Sequence, residues 1–160
     1  YNSFNFLSVE IKPCDIKTYF TSNATQNYVE LATGCAGFSN SPVNAPLQKV
    51  IAGNKKFHEI IQEHKNKESM VEALIELLKW DEKHYPDDEL LRRRGHDAED
   101  FSSIHVRHNQ LYGTRTRTII LIDQNNNIEY IEDTMINQDP ENSIWEVTKL
   151  NVTNDDITHL

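Results

Sequence analysis

Apolar and polar positions alternate with a period of two at the start of the chain. Phe4 and Phe6, then Val9 and Ile11, predict a strand over residues 2 to 12, which Lys12-Pro13 ends or kinks. Lys17 to Thr21 and Tyr28 to Ala32 predict two more strands around the polar turn Ser22 to Asn27. Cys35 to Phe38 is short and apolar enough to extend that meander. From Ala45 the period lengthens. Leu47, Val50, Ile51, Phe57, Ile60 and Ile61 share one helical face. Asn44 is the predicted N-cap, with Pro46 tolerated in the first turn. Gly53 and Asn54 weaken the middle of that helix by about 1 kcal/mol or more relative to Ala. A second helix is predicted over Glu68 to Lys79, with Met70, Val71, Leu74, Leu77 and Leu78 as a core stripe.

Residues 80–102 carry charges of both signs at high density and read as a charged surface insertion, with a short helix around Asp88 to Arg94. Strands follow at Ser103 to His108 and Thr116 to Asp123. The apolar run Ile119 to Ile122 in the second predicts a buried strand. The Asn-rich turn Gln124 to Asn127 joins it to a strand at Ile128 to Thr134, the clearest hairpin in the chain. Trp145 to Val152 supplies the last strand. Residues 1–154 then form part of one domain, and 155–160 a polar, frayed tail. Strands, two helices, then strands again define an α+β fold with helices layered on antiparallel sheet.

Composition removes several function classes. Lys plus Arg number 16 and Asp plus Glu 25, a net charge of −9. That opposes nucleic acid, whose phosphates need a basic surface, and electrostatic docking on an anionic membrane. No window approaches 18 apolar residues, so the chain is not expected to span a membrane. Cys14 and Cys35 are too few for a disulfide framework and read as small buried hydrophobes. His84, His96, His105 and His108 raise the question of a metal. His105 and His108 stand three apart on a predicted strand, which points them to opposite faces, and no spacing fits a zinc site. No metal and no cofactor is expected.

The candidate chemistry lies in Tyr112-Gly-Thr-Arg-Thr-Arg-Thr-Ile-Ile-Leu-Ile-Asp123. Arg115 stands at the mouth of an apolar strand, fixed by Gly113 and flanked by Thr114 and Thr116. One role is a surface ion pair; the other is a charge offered to a ligand at the rim of a core. Arg117, two residues further along the strand, is expected to matter less. A second candidate is Gly37-Phe-Ser39-Asn40. Asn40 before Ser41-Pro42 is an ordinary turn residue, and a side-chain amide at a strand end also suits a developing oxyanion.

These segments resemble the transport and Golgi organisation protein two family, also called the NRDE-domain family. Tyr1-Asn-Ser-Phe-Asn-Phe-Leu7, Gly37-Phe-Ser-Asn40, Tyr112-Gly-Thr-Arg-Thr116 with its strand, and Trp145-Glu146 match the family's segments in order, from Tyr1 to about Val152. The weak stretch is Trp80 to Ser102. The Asn-Arg-Asp-Glu signature and the Cys that precedes it in the family have no counterpart here. The resemblance thus implies a carboxy-terminal part, roughly 60 % of a domain of usual size.

The resemblance further implies an αββα sandwich like that of the amino-terminal-nucleophile hydrolases, truncated at its amino-terminal side. It implies a cytoplasmic protein with Golgi or mitochondrial association, acting in Golgi organisation and secretion and handling haem or lipid (acyl-CoA) as a small anionic or amphipathic ligand. Another partner would be the missing amino-terminal part. The alternative is a cysteine amidohydrolase or thioesterase. In it Asn40 would hold the oxyanion and Arg115 would lower a thiol pKa or hold an anionic group. The nucleophile is absent from this chain, which cannot run that reaction alone. Asn40 and Arg115 are expected to converge on one cleft, with Gly37, Ser39, Tyr112, Gly113, Thr114 and Thr116 around them.

Overall fold

A computed structural model describes residues 4–12, 15–23, 25–109, 112–139 and 142–153. The readings of Tyr1 to Ser3, Pro13, Cys14, and the tail from Asn154 lie outside the described residues. Three strands open the chain: β1 (Asn5–Lys12), β2 (Asp15–Ser22) and β3 (Thr25–Leu31), an antiparallel meander in the order β1-β2-β3. Three helices follow: α1 (Gln48–Glu63), α2 (Lys67–Leu78) and α3 (Asp88–Arg94), with a 3₁₀ turn at Gly95–Asp97. The two-residue strands β4 (Arg107–His108) and β5 (Tyr112–Gly113) pair with each other. A second antiparallel meander, β6 (Thr116–Ile122), β7 (Ile128–Met135) and β8 (Trp145–Val152), closes the described chain. Helices on antiparallel sheet make the fold α+β.

The helical stripes pack only in part as their period requires: Leu47 and Ile60 are buried, whereas Ile51 and Ile61, read onto the same face of α1, are 50% and 38% exposed. Ile60 of α1 and Leu74 and Leu77 of α2 are buried together with Ile119 and Ile131 of the β6–β7 hairpin. Asp123 shapes that hairpin. Its carboxylate accepts from the Asn125 and Asn127 backbone N–H groups at 2.8 and 2.9 Å, and Asn126 takes φ 63°. An Asn tolerates that conformation better than most residues.

The Ile119 to Ile122 run is not buried throughout. Ile119 is buried, but Ile120 is 58 % exposed, because successive side chains leave opposite faces and the helices cover one face only. On the open face Ile120 stands in register with Tyr130 and Leu150.

Three further expectations change. Asn44 is not the cap of α1. The helix begins after Leu47 with no side-chain cap from its own chain neighbours, and the Gln48 N–H donates to Asp87 Oδ2 at 2.7 Å. Cys35 to Phe38 does not extend the meander. The chain turns at Gly34 (φ 141°), and Phe38 stacks on Phe20 with centroids 4.0 Å apart. Cys35 itself is only partly buried. The predicted strand Ser103 to His108 shrinks to Arg107–His108. Ser102 and Ser103 satisfy local carbonyls instead, of Glu99 and His105 at 2.6 and 2.7 Å.

The segment read as a charged surface insertion lies at the surface only in part. Arg92, Arg93 and Arg94 are exposed. The apolar residues among the charges, Leu90, Ala98 and Phe101, build a second core with Leu47 and Val106.

Candidate ligand-binding cleft

Gly113 and Thr114 set the position of Arg115. A Cβ at residue 113 would lie 2.8 Å from the Val106 carbonyl oxygen, so only Gly lets β5 approach this closely. Thr114 then clamps the same residue twice. Its N–H donates to Val106 O at 2.9 Å, and its Oγ1 accepts from the Val106 N–H at 3.0 Å. One residue on, the Arg115 carbonyl accepts from the Met135 N–H at 2.8 Å. Its Nη2 donates to Asn137 O at 3.1 Å and, more weakly, to Met135 O at 3.4 Å. Arg115 is exposed, and no carboxylate pairs with it in an ion pair among the described residues. Thr116 opens β6, opposite Thr134.

The buried arginine is Arg117. Its Nη1 donates to Asp133 Oδ2 at 2.6 Å, and its guanidinium lies 3.5 Å over the Trp145 ring. Burial lowers its pKa, which the Asp133 carboxylate opposes. His105 lies beside Trp145, with ring centroids 6.0 Å apart. Burial first, then the charges of Arg117 and Arg107, hold its pKa down to about 4. His105 is therefore neutral at pH 7. His108 is not its metal partner: its Nδ1 faces Asp100 Oδ2 at 2.8 Å. Among the described residues no group of three His, Cys, Asp or Glu side chains is placed to hold a metal ion.

Three cavities lie in a row. A small one, about 20 Å³, is lined by His105, Arg107, Tyr112, Gly113, Arg115 and Trp145, among others. The next, about 240 Å³, shares Val106 and Tyr112 with it and is lined by Ser39, Asn40, Lys49, Arg93 and Arg94. The third, about 360 Å³, shares Ser39 and Lys49 with the second and includes Gly37. Asn40 and Arg115, 75 positions apart in number, line neighbouring cavities with a common Tyr112 wall, not one cavity. The Asn40 carbonyl accepts from Arg93 Nη1, and Arg93 Nε also donates to Glu89 Oε1 at 2.6 Å. The Asn40 residue is exposed.

Among the described residues no Asp or Glu lines any of the three cavities. Lys49, Arg93, Arg94 and Arg107 do, and none was singled out from sequence. Arg93 and Arg94 sit in a charge-dense run that looks solvated, and Lys49 lies on a helix flank. Arg117 ties the sheet together instead of lining a cavity, and nothing local in the sequence distinguishes it from Arg115.

A cleft of clamped backbone and clustered cations is suited to an anionic group, which guanidinium recognises through paired donors. The family model for Transport and Golgi organisation 2 matches residues 1–137. The chain belongs to that family. It is 34% identical over 158 residues to Transport and Golgi organization protein 2 of Drosophila melanogaster, covering 94% of this chain and 55% of that protein. The homologues of Bos taurus and Homo sapiens are 28% and 27% identical, over 92% and 91% of this chain and 55% of each relative. The chain thus spans about half the length of the curated relatives it matches.

Proposed function

We propose that this protein serves transport and Golgi organisation by binding a small anionic or amphipathic ligand in the Tyr112-walled cleft. Haem and acyl-CoA are the candidate ligands, with a cytoplasmic location associated with Golgi or mitochondrion. The αββα sandwich of the amino-terminal-nucleophile hydrolases is the proposed complete architecture, with the remainder of the protein as the partner of this chain. No helix is long and apolar enough to cross a membrane among the described residues.

The observation that supports the reading is the sign of the cleft. On a chain of net charge −9, Arg107, Arg115, Lys49, Arg93 and Arg94 line two adjoining cavities that no carboxylate lines among the described residues, with Arg93 itself paired to Glu89. Concentrating cations on an acidic protein raises the local attraction for an anion. Titration with haem and with palmitoyl-CoA tests it: Arg115→Ala and Arg94→Ala each weaken binding about tenfold, and equal affinity in parent and variants refutes it.

A second reading is acyl transfer. Ser39-Asn40-Ser41-Pro42 and Thr114-Arg115 resemble paired segments of linear-amide hydrolases, and both border Tyr112. The full-length protein decides between them. Hydrolysis of acyl-CoA or N-acyl amides that is lost when the amino-terminal Cys becomes Ala favours the enzyme; saturable binding without turnover favours the carrier.

A further inference from the structure

His105 stands in the wall of the cleft and is held there. It is 3% exposed and lines the small cavity together with Arg107, Tyr112 and Arg115. Its backbone is fixed on both sides. Its N–H donates to Trp80 O at 2.9 Å, and its carbonyl accepts from Ser103 Oγ at 2.7 Å. The ring lies beside Trp145, and its Nδ1 is enclosed with no hydrogen-bond partner among the described residues. Packing and charge hold this imidazole, and no bond at Nδ1 does.

The charges that act on it come from several elements. After burial, Arg117 of β6 and Arg107 of β4 oppose a proton on the ring, and Asp81, just beyond α2, favours one. Asp133 of β7 offsets Arg117 through their ion pair, and Glu76 of α2 acts on Arg117 in the same sense. Arg107 and Arg115 have no carboxylate in an ion pair among the described residues. The wall around His105 thus carries positive charge that a ligand can balance. The small cavity, about 20 Å³, has room for about one water-sized group, such as one oxygen of an anion. The rest of that anion would lie in the adjoining cavity, which shares Val106 and Tyr112.

We propose that anion binding in the cleft is coupled to uptake of a proton by His105, so that the cleft binds its ligand more tightly as pH falls below neutral. The imidazole lone pair takes the proton from solvent, and no other covalent bond forms or breaks. The inference rests on the anion-binding reading above and adds its regulation by pH. In the free protein His105 stays neutral until pH nears about 4. An anion beside Arg107 and Arg115 cancels the like charge that disfavours the imidazolium, so the bound protein takes its proton at higher pH. Between those two values acid favours the bound state. By linkage, the proton raises anion affinity by the factor by which the anion raises proton affinity.

Inorganic sulfate is the probe, because its charge does not change over the range tested. Calorimetry of the full-length protein, in buffers of different ionisation enthalpy, gives the protons taken up per sulfate bound. Uptake is expected at about pH 5 and none at about pH 7.5. Affinity rises about fivefold between the two, at the low end of ordinary coupling. NMR of the His105 ring protons shows the titration midpoint moving up when sulfate replaces chloride at equal ionic strength. His105→Phe removes both the uptake and the rise in affinity. Should that variant fail to fold, as judged by circular dichroism, the NMR midpoint in the parent protein decides. Sulfate that binds while the His105 midpoint stays fixed overturns the coupling and leaves the cleft. Absence of sulfate binding at either pH overturns the anion site, and the coupling with it.

Discussion

Arg117 holds its guanidinium 3.5 Å above the ring of Trp145, 28 residues later in the chain. The same group donates to Asp133 at 2.6 Å, so one side chain ties β6 to β7 and to the start of β8. Both partners of the ion pair are largely withdrawn from water, at 7% and 12% side-chain exposure.

Arg117→Ala leaves the Asp133 carboxylate buried without its cation. The expected loss is about 3 kcal/mol, within the range for breaking a buried pair. Replacing both, Arg117→Met with Asp133→Leu, recovers much of it, because no charge then remains to be solvated. Urea unfolding of the three variants checks this; a single variant as stable as the parent refutes it.

His105 makes stability depend on pH in a defined window. Its folded pKa, about 4, lies below the unfolded value near 6.5, so the unfolded chain binds the proton more readily between them. The contribution is complete above about pH 6.5 and is lost as pH falls toward 4. The difference of roughly 2.5 units corresponds to a ceiling of about 3 kcal/mol for this almost fully buried group. His105→Phe flattens the fall in unfolding free energy across that window, while an unchanged slope would show that other groups carry it.

Asp87 caps two helices at once. Oδ1 accepts from the Leu90 N–H at 3.0 Å at the start of α3, and Oδ2 from the Gln48 N–H at the start of α1. Asp87→Ala therefore removes two caps, each worth about 1 kcal/mol. The expected cost is about 2 kcal/mol or more. Asp87→Asn keeps one acceptor oxygen and loses less. Hydrogen exchange at Gln48 and Leu90 reports the two ends separately, and protection retained at either in Asp87→Ala refutes the shared cap.

Gly113→Ala forces a Cβ against the Val106 carbonyl, which is backbone and cannot swing aside. The expected destabilisation is about 1–3 kcal/mol, as for overpacking. Because Thr114 and Arg115 follow directly, anion affinity falls more than with Gly34→Ala, which lies outside the cleft. Equal affinities in the two variants would separate Gly113 from ligand binding.

Much of the architecture follows from local pattern. The last strand, Trp145 to Val152, the hairpin at Asp123 to Asn127, and the short helix from Asp88 to Arg94 stand where the sequence reading puts them. Each is decided by forces that act within a few residues: side-chain period, the φ tolerance of Asn, the acceptor of an Asp before a helix. The Gly113-Thr114-Arg115 segment was legible for the same reason. A glycine within a strand often marks a close backbone approach.

What the tertiary structure decided is partnership. Ile119 and Ile120 are alike in sequence, and only the helices on one face make the first buried and the second exposed. Arg115 and Arg117 differ by two positions, yet packing against Asp133 and Trp145 makes one a core cation and leaves the other for the cleft. Asn44 lost the cap of α1 to Asp87, more than forty positions away. Leu90, Ala98 and Phe101 are spaced among charges and become a core only against Leu47 and Val106. Burial, charge pairing and cavity lining depend on which distant segments meet, and the free energy of those contacts is not written in any local run of residues.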